Sequence, residues 1–440
     1  MSHDAQRSAT DALYDLATGD EDARVCRDIP DAACRHLPRN FFSHLIALVA
    51  TKTGDRLAGA RLVLAWLLTT LGAPPFMTAL LVPIRESLAL LPQLAVAAFI
   101  RRTPVRKWFW IAGSVAQGLC ILAMAAVAAT LQGGPAGWAI LGLLIVFSLA
   151  RGVCSVSSKD VMGKTVSKNR RGTLTGYAAS AAGAITVAVG LYLGVSRRGD
   201  DDASLMFFII ILSAAGALWL LAAFVYSWIK EEPGATEGGG NAATEALSSL
   251  RLLYDDAAFR HFVITRTLLI STALAAPFFV MLANRETGGA LSGLALMIVA
   301  NGLAAWISAP FWGRFADRSS RRVLVVTAAA AAGLGGLVVG YSAAGAPGQA
   351  SWVYAGAFFV LGIIHTGVRV GRKTYLVDMA TQETRATYVA VSNTVIGVFL
   401  LVGSVFGVLA EYAGIHAAIA ALSVLAAAAA FSALRLAEVQ

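Results

Sequence analysis

Residues 291–341 read LSGLALMIVANGLAAWISAPFWGRFADRSSRRVLVVTAAAAAGLGGLVVGY. Two apolar runs flank a turn, 314–322, into which Arg314, Asp317, Arg318, Arg321 and Arg322 are crowded. A helix needs about 20 mainly apolar residues to cross the hydrocarbon core, and both runs reach that length. The pattern is that of a membrane hairpin with a short basic turn. Working outward, the chain supplies ten further tracts of this kind. The twelve are expected at 57–79, 81–100, 107–131, 136–156, 173–195, 204–229, 261–283, 291–314, 323–343, 351–370, 387–410 and 414–436. The expected fold is an all-α integral membrane protein of twelve transmembrane helices in two six-helix, pseudo-symmetric halves.

Composition agrees. Of 440 residues 57% are hydrophobic and only 14% charged, with mean hydropathy +0.68, whereas soluble domains carry about a quarter charged residues. The net charge of +9 would suggest nucleic acid for a soluble chain, but its placement says otherwise. With the N-terminus in the cytoplasm, only Arg85, Arg197, Arg198 and Arg285 of the 35 basic residues fall outside, the bias that orients membrane proteins. The expected location is the bacterial inner (plasma) membrane, multi-pass, with both termini cytoplasmic. The expected partners are membrane lipid and a small-molecule substrate, with protons as a candidate coupling ion, no nucleic acid, and a monomeric chain. The polar, acidic first residues lack the pattern of a cleavable signal peptide. Cys26 and Cys34 in the tail, and Cys120 and Cys154 in spans, imply no disulfide framework.

The chain divides into a cytoplasmic tail (1–56), a first half (57–229), a linker (230–258) containing Gly238-Gly-Gly, and a second half (259–440). From Asn40, the spacing of Phe41, Phe42, Leu45, Leu48 and Val49 predicts a helix. It either lies on the membrane surface or extends the first span. An internal repeat is suggested by two phrases: Pro75-Phe76 with Arg85-Glu86-Ser87, and Pro277-Phe278 with Arg285-Glu286-Thr287, about 200 residues apart. A second register, offset by 214, sets Arg171-Gly-Thr173 on Arg385-Ala-Thr387, Lys159 on Lys373 and Arg151 on His365.

The turn Gly313-Arg-Phe-Ala-Asp317-Arg318-Ser-Ser-Arg321-Arg322 resembles the G-x-x-x-D-R-x-G-R-R signature of the major facilitator superfamily, with Ser320 at the usual second glycine. The counterpart at 100–107 keeps its basic residues but has Arg101 at the acidic position and Pro104 at the glycine. The resemblance implies secondary transport by alternating access. It also implies a cytoplasmic gate in which Asp317 meets the start of the fifth span while Arg318, Arg321 and Arg322 join carboxylates. In that family spans one, four, seven and ten line the central cavity. Arg151, His365 and Arg369 are therefore candidate substrate contacts, with Gln93 and Asn301 as polar lining.

Arg85 and Glu86 interrupt an apolar tract, and ionisable residues there face a partner or a water-filled cavity. They are expected either as an outer gate paired across the halves, Glu86 with Arg285 and Arg85 with Glu286, or as a proton-coupling site. Lys159-Asp160 and Lys373 with Asp378 are expected as inner-gate ion pairs. Gly163-Lys164-Thr165 ends like a phosphate-binding loop, but the glycine required five residues earlier is Ser158. With no metal-ligand spacing and no nucleophile–base pattern, neither a cofactor nor an enzyme activity is expected. The expected function is secondary transport of a small, anionic or amphiphilic metabolite. Proton-driven efflux of lipophilic compounds and a non-transporting sensor or scaffold are the alternatives.

Overall fold

Helix follows helix along the described residues. The computed structural model describes Tyr14 and residues 34–93, 96, 99–100, 102–196, 204–234, 250–344, 350–381 and 384–439, and among them the regular structure is helical. The first half comprises α1 (Leu37–Leu57), α2 (Val63–Thr70), α3 (Pro75–Leu90), α4 (Lys107–Thr130), α5 (Gly133–Thr165), α6 (Lys168–Ser196) and α7 (Ser204–Ser227). After the linker come α8 (Leu252–Asp255), α9 (Ala257–Leu268), α10 (Ser271–Glu286), α11 (Leu291–Ala316), α12 (Ser320–Ala343), α13 (Ala350–Met379), α14 (Arg385–Val402), α15 (Val405–Ala413) and α16 (Ile415–Leu434).

Ten helical passages among the described residues, counting α9–α10 and α14–α15 as one each, are long and apolar enough to cross a membrane. The two preceding passages, α1–α2 and α3, fall short of that measure. Lys52, Asp55, Arg56 and Arg61 interrupt the first, and α3, which carries Arg85 and Glu86, is 16 residues long. Packed with the ten, they complete an arrangement consistent with twelve spans. The outer surface is apolar, with Tyr192, Trp306, Phe311, Leu337 and Val424 all exposed, as a lipid-facing surface requires.

Two sequence expectations change here. The helix expected from Asn40 is not a surface helix: α1 packs on α6 and α7, and a Cβ on Gly54 would lie 2.7 Å from the Trp219 ring. The first passage therefore runs from Leu37 to Thr70, and the tract expected at 57–79 contains the turn at Gly72 (φ +74°). Hydropathy misplaced this span because its charges sit in its centre.

The mirrored phrases also dissolve. Pro75 opens α3, whereas Pro277 lies inside α10, so the two occupy non-equivalent helices running in opposite directions. The register near 214 is the structural one. It pairs α5 with α13 and puts Arg151 and His365 on the same cavity. A shift of one residue further sets Glu86 opposite Asn301, and both line that cavity.

The halves meet along two seams. In one, α6 packs against α11, where a Cβ on Gly190 would approach Val299 to 2.8 Å and one on Gly302 would approach Val187 to 2.8 Å. In the other, α3 packs against α14 and α15, with Gly407 against Ala79 (2.7 Å) and the Phe76 backbone. Small residues let the backbones close up where no hydrophobic force separates helix from lipid. Cys120 and Cys154 are free and buried. Cys34 is disulfide-bonded, a bond the sequence did not imply.

Candidate functional site

The first helix of each half is broken where the halves face each other. α1 stops at Leu57 and α2 resumes at Val63. Between them Leu62 N–H and Leu64 N–H both donate to the Gly59 carbonyl (3.2 and 3.1 Å). α9 stops at Leu268 and α10 resumes at Ser271. Irregular backbone at membrane depth is tolerated where it lines a cavity. Gly59, Ala60 and Thr272 do line one, of about 460 Å³.

Seven cationic side chains line that cavity: Arg56, Arg61, Arg85, Arg151, Arg369, Arg372 and Lys373. Two carboxylates, Asp55 and Glu86, oppose them, a formal surplus of five positive charges. The carboxylates are both engaged on the first-half side. Asp55 accepts from Arg85 at 2.9 Å and from Arg151. Glu86 accepts from Arg61 at 3.1 Å. Arg85 is only 8% exposed, and its Nη1 has no partner beyond this arrangement.

On the second-half side the cations lack a carboxylate in contact. Among the described residues, Arg369, Arg372 and Lys373 have no carboxylate within ion-pair distance, and the same holds for Arg56 of α1. His365, Arg369, Arg372 and Lys373 recur at three- and four-residue intervals, so they share one face of α13. They extend over about 12 Å of its axis at 1.5 Å per residue. Thr272 holds the His365 ring through Nδ1 at 3.2 Å, leaving Nε2 unpartnered. Ala60, Leu62, Ala276, Ala305, Phe358 and Leu361 supply an apolar part of the lining. The cavity is thus polar and cationic on one part of its wall and apolar on another.

The cavity is closed at one end. Asn284 Nδ2 donates to Thr70 Oγ1 at 3.4 Å across the halves. Trp66 is fully buried beside Gly293 of α11, and Gly407 seats on α3. At the other end, where the basic turns cluster, Arg369 and Lys373 are exposed. This basic end is the open one.

Of the residues singled out from sequence, Arg151, His365, Arg369 and Asn301 line the cavity. Gln93 does not line it; its amide donates to the Ala89 carbonyl one turn back on its own helix (2.8 Å). Arg85 and Glu86 line it too, but in partnerships other than those anticipated. Their partners are Asp55 and Arg61, while Arg285 and Glu286 sit exposed at the closed end, where Ser342 donates to Glu286 (3.4 Å). The cross-half pairing fails because α3 and α10 place these phrases at different depths.

At the basic end Gly313 is half-buried, and Asp317, Arg318 and Arg322 are exposed. Arg321 pairs with Glu438 at 3.1 Å and donates to the Leu436 carbonyl. A Cβ on Gly172 would meet nothing within 4 Å, and Asp317 stands exposed on its own turn. Asp160 pairs with Arg106 and with Lys164 rather than with Lys159, which is exposed. Lys373 lines the cavity mouth, and Asp378 is exposed. The acid missing from the first-half turn comes from the linker. The Glu231 side chain, fully buried, accepts from Arg106 N–H (2.9 Å) and Lys107 N–H (2.7 Å) and pairs with Lys164 at 3.0 Å.

Sequence reading missed Asp55, Arg56, Arg61 and Arg372. The signal was present, since four charges in 52–61 broke an otherwise apolar passage, but the span had been placed after most of them.

Two helical halves thus surround a central polar cavity, with broken helices at its wall. Residues 262–439 match the family model of the Major Facilitator Superfamily. The fold is similar to that of a D-xylose-proton symporter, with a TM-score of 0.68 at 14% identity, covering 91% of this chain and 98% of that one. It is also similar to the inward open xylose transporter XylE from E. coli, with a TM-score of 0.63 at 12% identity over 90% of this chain and 95% of that chain. The nucleoside transporter NupG gives 0.64 at 12% identity over 90% of this chain and 98% of that one. No curated protein sequence matches the chain. By sequence the likeness to that superfamily covers residues 262–439, and the chain as a whole is a multi-pass membrane protein that shares its fold with these transporters.

Proposed function

We propose that this protein is a secondary transporter of a small anionic solute, working by alternating access of the central cavity. The observation that carries this reading is the charge of the cavity wall, seven cations against two carboxylates. Uncompensated charge inside a membrane protein is expensive and marks a substrate or ion path. An anion is the ligand that such a wall stabilises, and the apolar patch around Phe358 and Leu361 suits a small organic body attached to it. A purely lipophilic substrate has little to gain here.

The basic loops support a cytoplasmic open end by the positive-inside rule, and on this reading the termini are cytoplasmic and the conformation is inward-facing. With the inner side open, the exposed positions of Asp317 and Arg318 fit a gate that is released. Closing would bring them to the α6 terminus, while the Asn284–Thr70 contact breaks. Glu231, Arg106, Asp160 and Lys164 form the first-half member of the same gate.

A thermal-shift screen of the detergent-purified protein tests the substrate class, with chloride, acetate, succinate, sulfate and inorganic phosphate set against neutral sugars, nucleosides and lipophilic cations. Stabilisation by anions that is lost in Arg369→Ala is the expected result. Stabilisation by lipophilic cations alone would refute it.

A further inference from the structure

We infer that the carrier is an obligatory exchanger, moving one anion in only as another leaves; this rests on the anionic reading above and concerns how that site cycles. Two observations on the wall support it. First, the fixed charges divide unequally between the halves. Arg61, Arg85 and Arg151 have internal counter-charges in Glu86 and Asp55. Arg369, Arg372 and Lys373 of α13, with Arg56 facing them, have no carboxylate in contact among the described residues. Second, neither cavity carboxylate stands free to act as a mobile proton carrier, because each is engaged by arginine on the first-half side.

Consider the empty cycle. With the basic end open, water and dissolved counter-ions compensate the α13 cations. To reorient, the cavity must close at both ends and shed most of that solvent. Like charges then lie within one or two helical turns of each other in a medium of reduced dielectric, where their repulsion is no longer screened. Asp55 and Glu86 cannot cross to relieve them without orphaning the first-half arginines, Arg85 among them at 8% exposure. An anion held against the α13 face removes this penalty, and one with two negative charges removes it best. The occluded state is therefore reached with an anion aboard, from either side, and hardly at all without one. A carrier that returns only when loaded exchanges.

The test uses the full-length protein in lipid vesicles with radiolabelled sulfate, inorganic phosphate and succinate, each measured at clamped membrane potential. One set of vesicles contains the same unlabelled anion and a second only sucrose and a zwitterionic buffer. The expected result is initial uptake at least tenfold faster into anion-loaded vesicles, unchanged when a protonophore collapses any pH gradient. Equal rates into loaded and anion-free vesicles would overturn the exchange mechanism and leave the anion site standing, as would anions that stabilise the protein yet enter neither set. Absence of both stabilisation and uptake for every anion would overturn the anionic reading itself, and the exchange with it.

Discussion

Replacing Asp55 by asparagine should make this protein less stable and bind anions more tightly. Asp55 is held between Arg85 and Arg151, so the substitution removes a negative charge from the cavity wall and preserves its shape. A cavity of 460 Å³ is about 8 Å across. At that distance, with an effective dielectric near 20, a unit charge is worth about 2 kcal/mol to a monovalent anion, or about 30-fold in affinity. Arg369→Gln should cost a similar amount with the opposite sign. Without anion, Asp55→Asn leaves Arg85 uncompensated. Orphaning a fully buried charge costs about 3–5 kcal/mol. The partial exposure of Asp55 (22%) and Arg151 (38%) moves the expected loss toward about 2 kcal/mol. The assay is thermal unfolding of the purified protein in detergent, titrated with sulfate at constant ionic strength. Asp55→Asn should start from a lower midpoint and recover at lower sulfate concentrations than the wild type. If Asp55→Asn weakens sulfate as much as Arg369→Gln does, Asp55 is merely structural and the electrostatic account of the cavity fails.

Three further outcomes are expected. Glu86→Gln, by releasing Arg61, should also strengthen sulfate stabilisation and leave the pH profile of uptake between about 6 and 8 unshifted; disappearance of a titration step in that range would revive proton coupling through Glu86. Glu231→Gln removes a charge that accepts two backbone N–H groups and pairs with Lys164. Charge-assisted bonds contribute about 1.5–3 kcal/mol each, so the thermal midpoint should fall by several degrees with the sulfate response unaltered; an unchanged midpoint would show the linker contact to be dispensable. Gly407→Val drives a side chain into Ala79 and Phe76 and should spread the closed end. A cysteine at Thr70, read against buried Cys120 and Cys154, should then label faster with an impermeant maleimide, whereas slower labelling would contradict the assignment of the closed end.

The general architecture was legible in the sequence because it follows from a local quantity. Backbone groups in lipid must be satisfied within the segment, so apolar length alone marks a helical passage, and basic turns such as 314–322 mark its ends. Arg151, His365 and Arg369 were legible for a related reason, since charges within apolar tracts need a polar neighbour. The same rule misled where function is densest. Lys52, Asp55, Arg56 and Arg61 lowered the hydropathy of the first passage until it looked like a tail followed by a later span, and the displaced boundary made Arg85-Glu86 look like the twin of Arg285-Glu286.

Only the tertiary structure decided which charges meet. Asp55 lies 30 residues from Arg85 and 96 from Arg151, and no spacing rule connects them. Their pairing depends on the break at Gly59 and on how α1, α3 and α5 cross. The inequality between the halves, compensated on one wall and bare on the other, likewise arises from folding. Ion pairing depends on distance in space, whereas the sequence records only order along the chain.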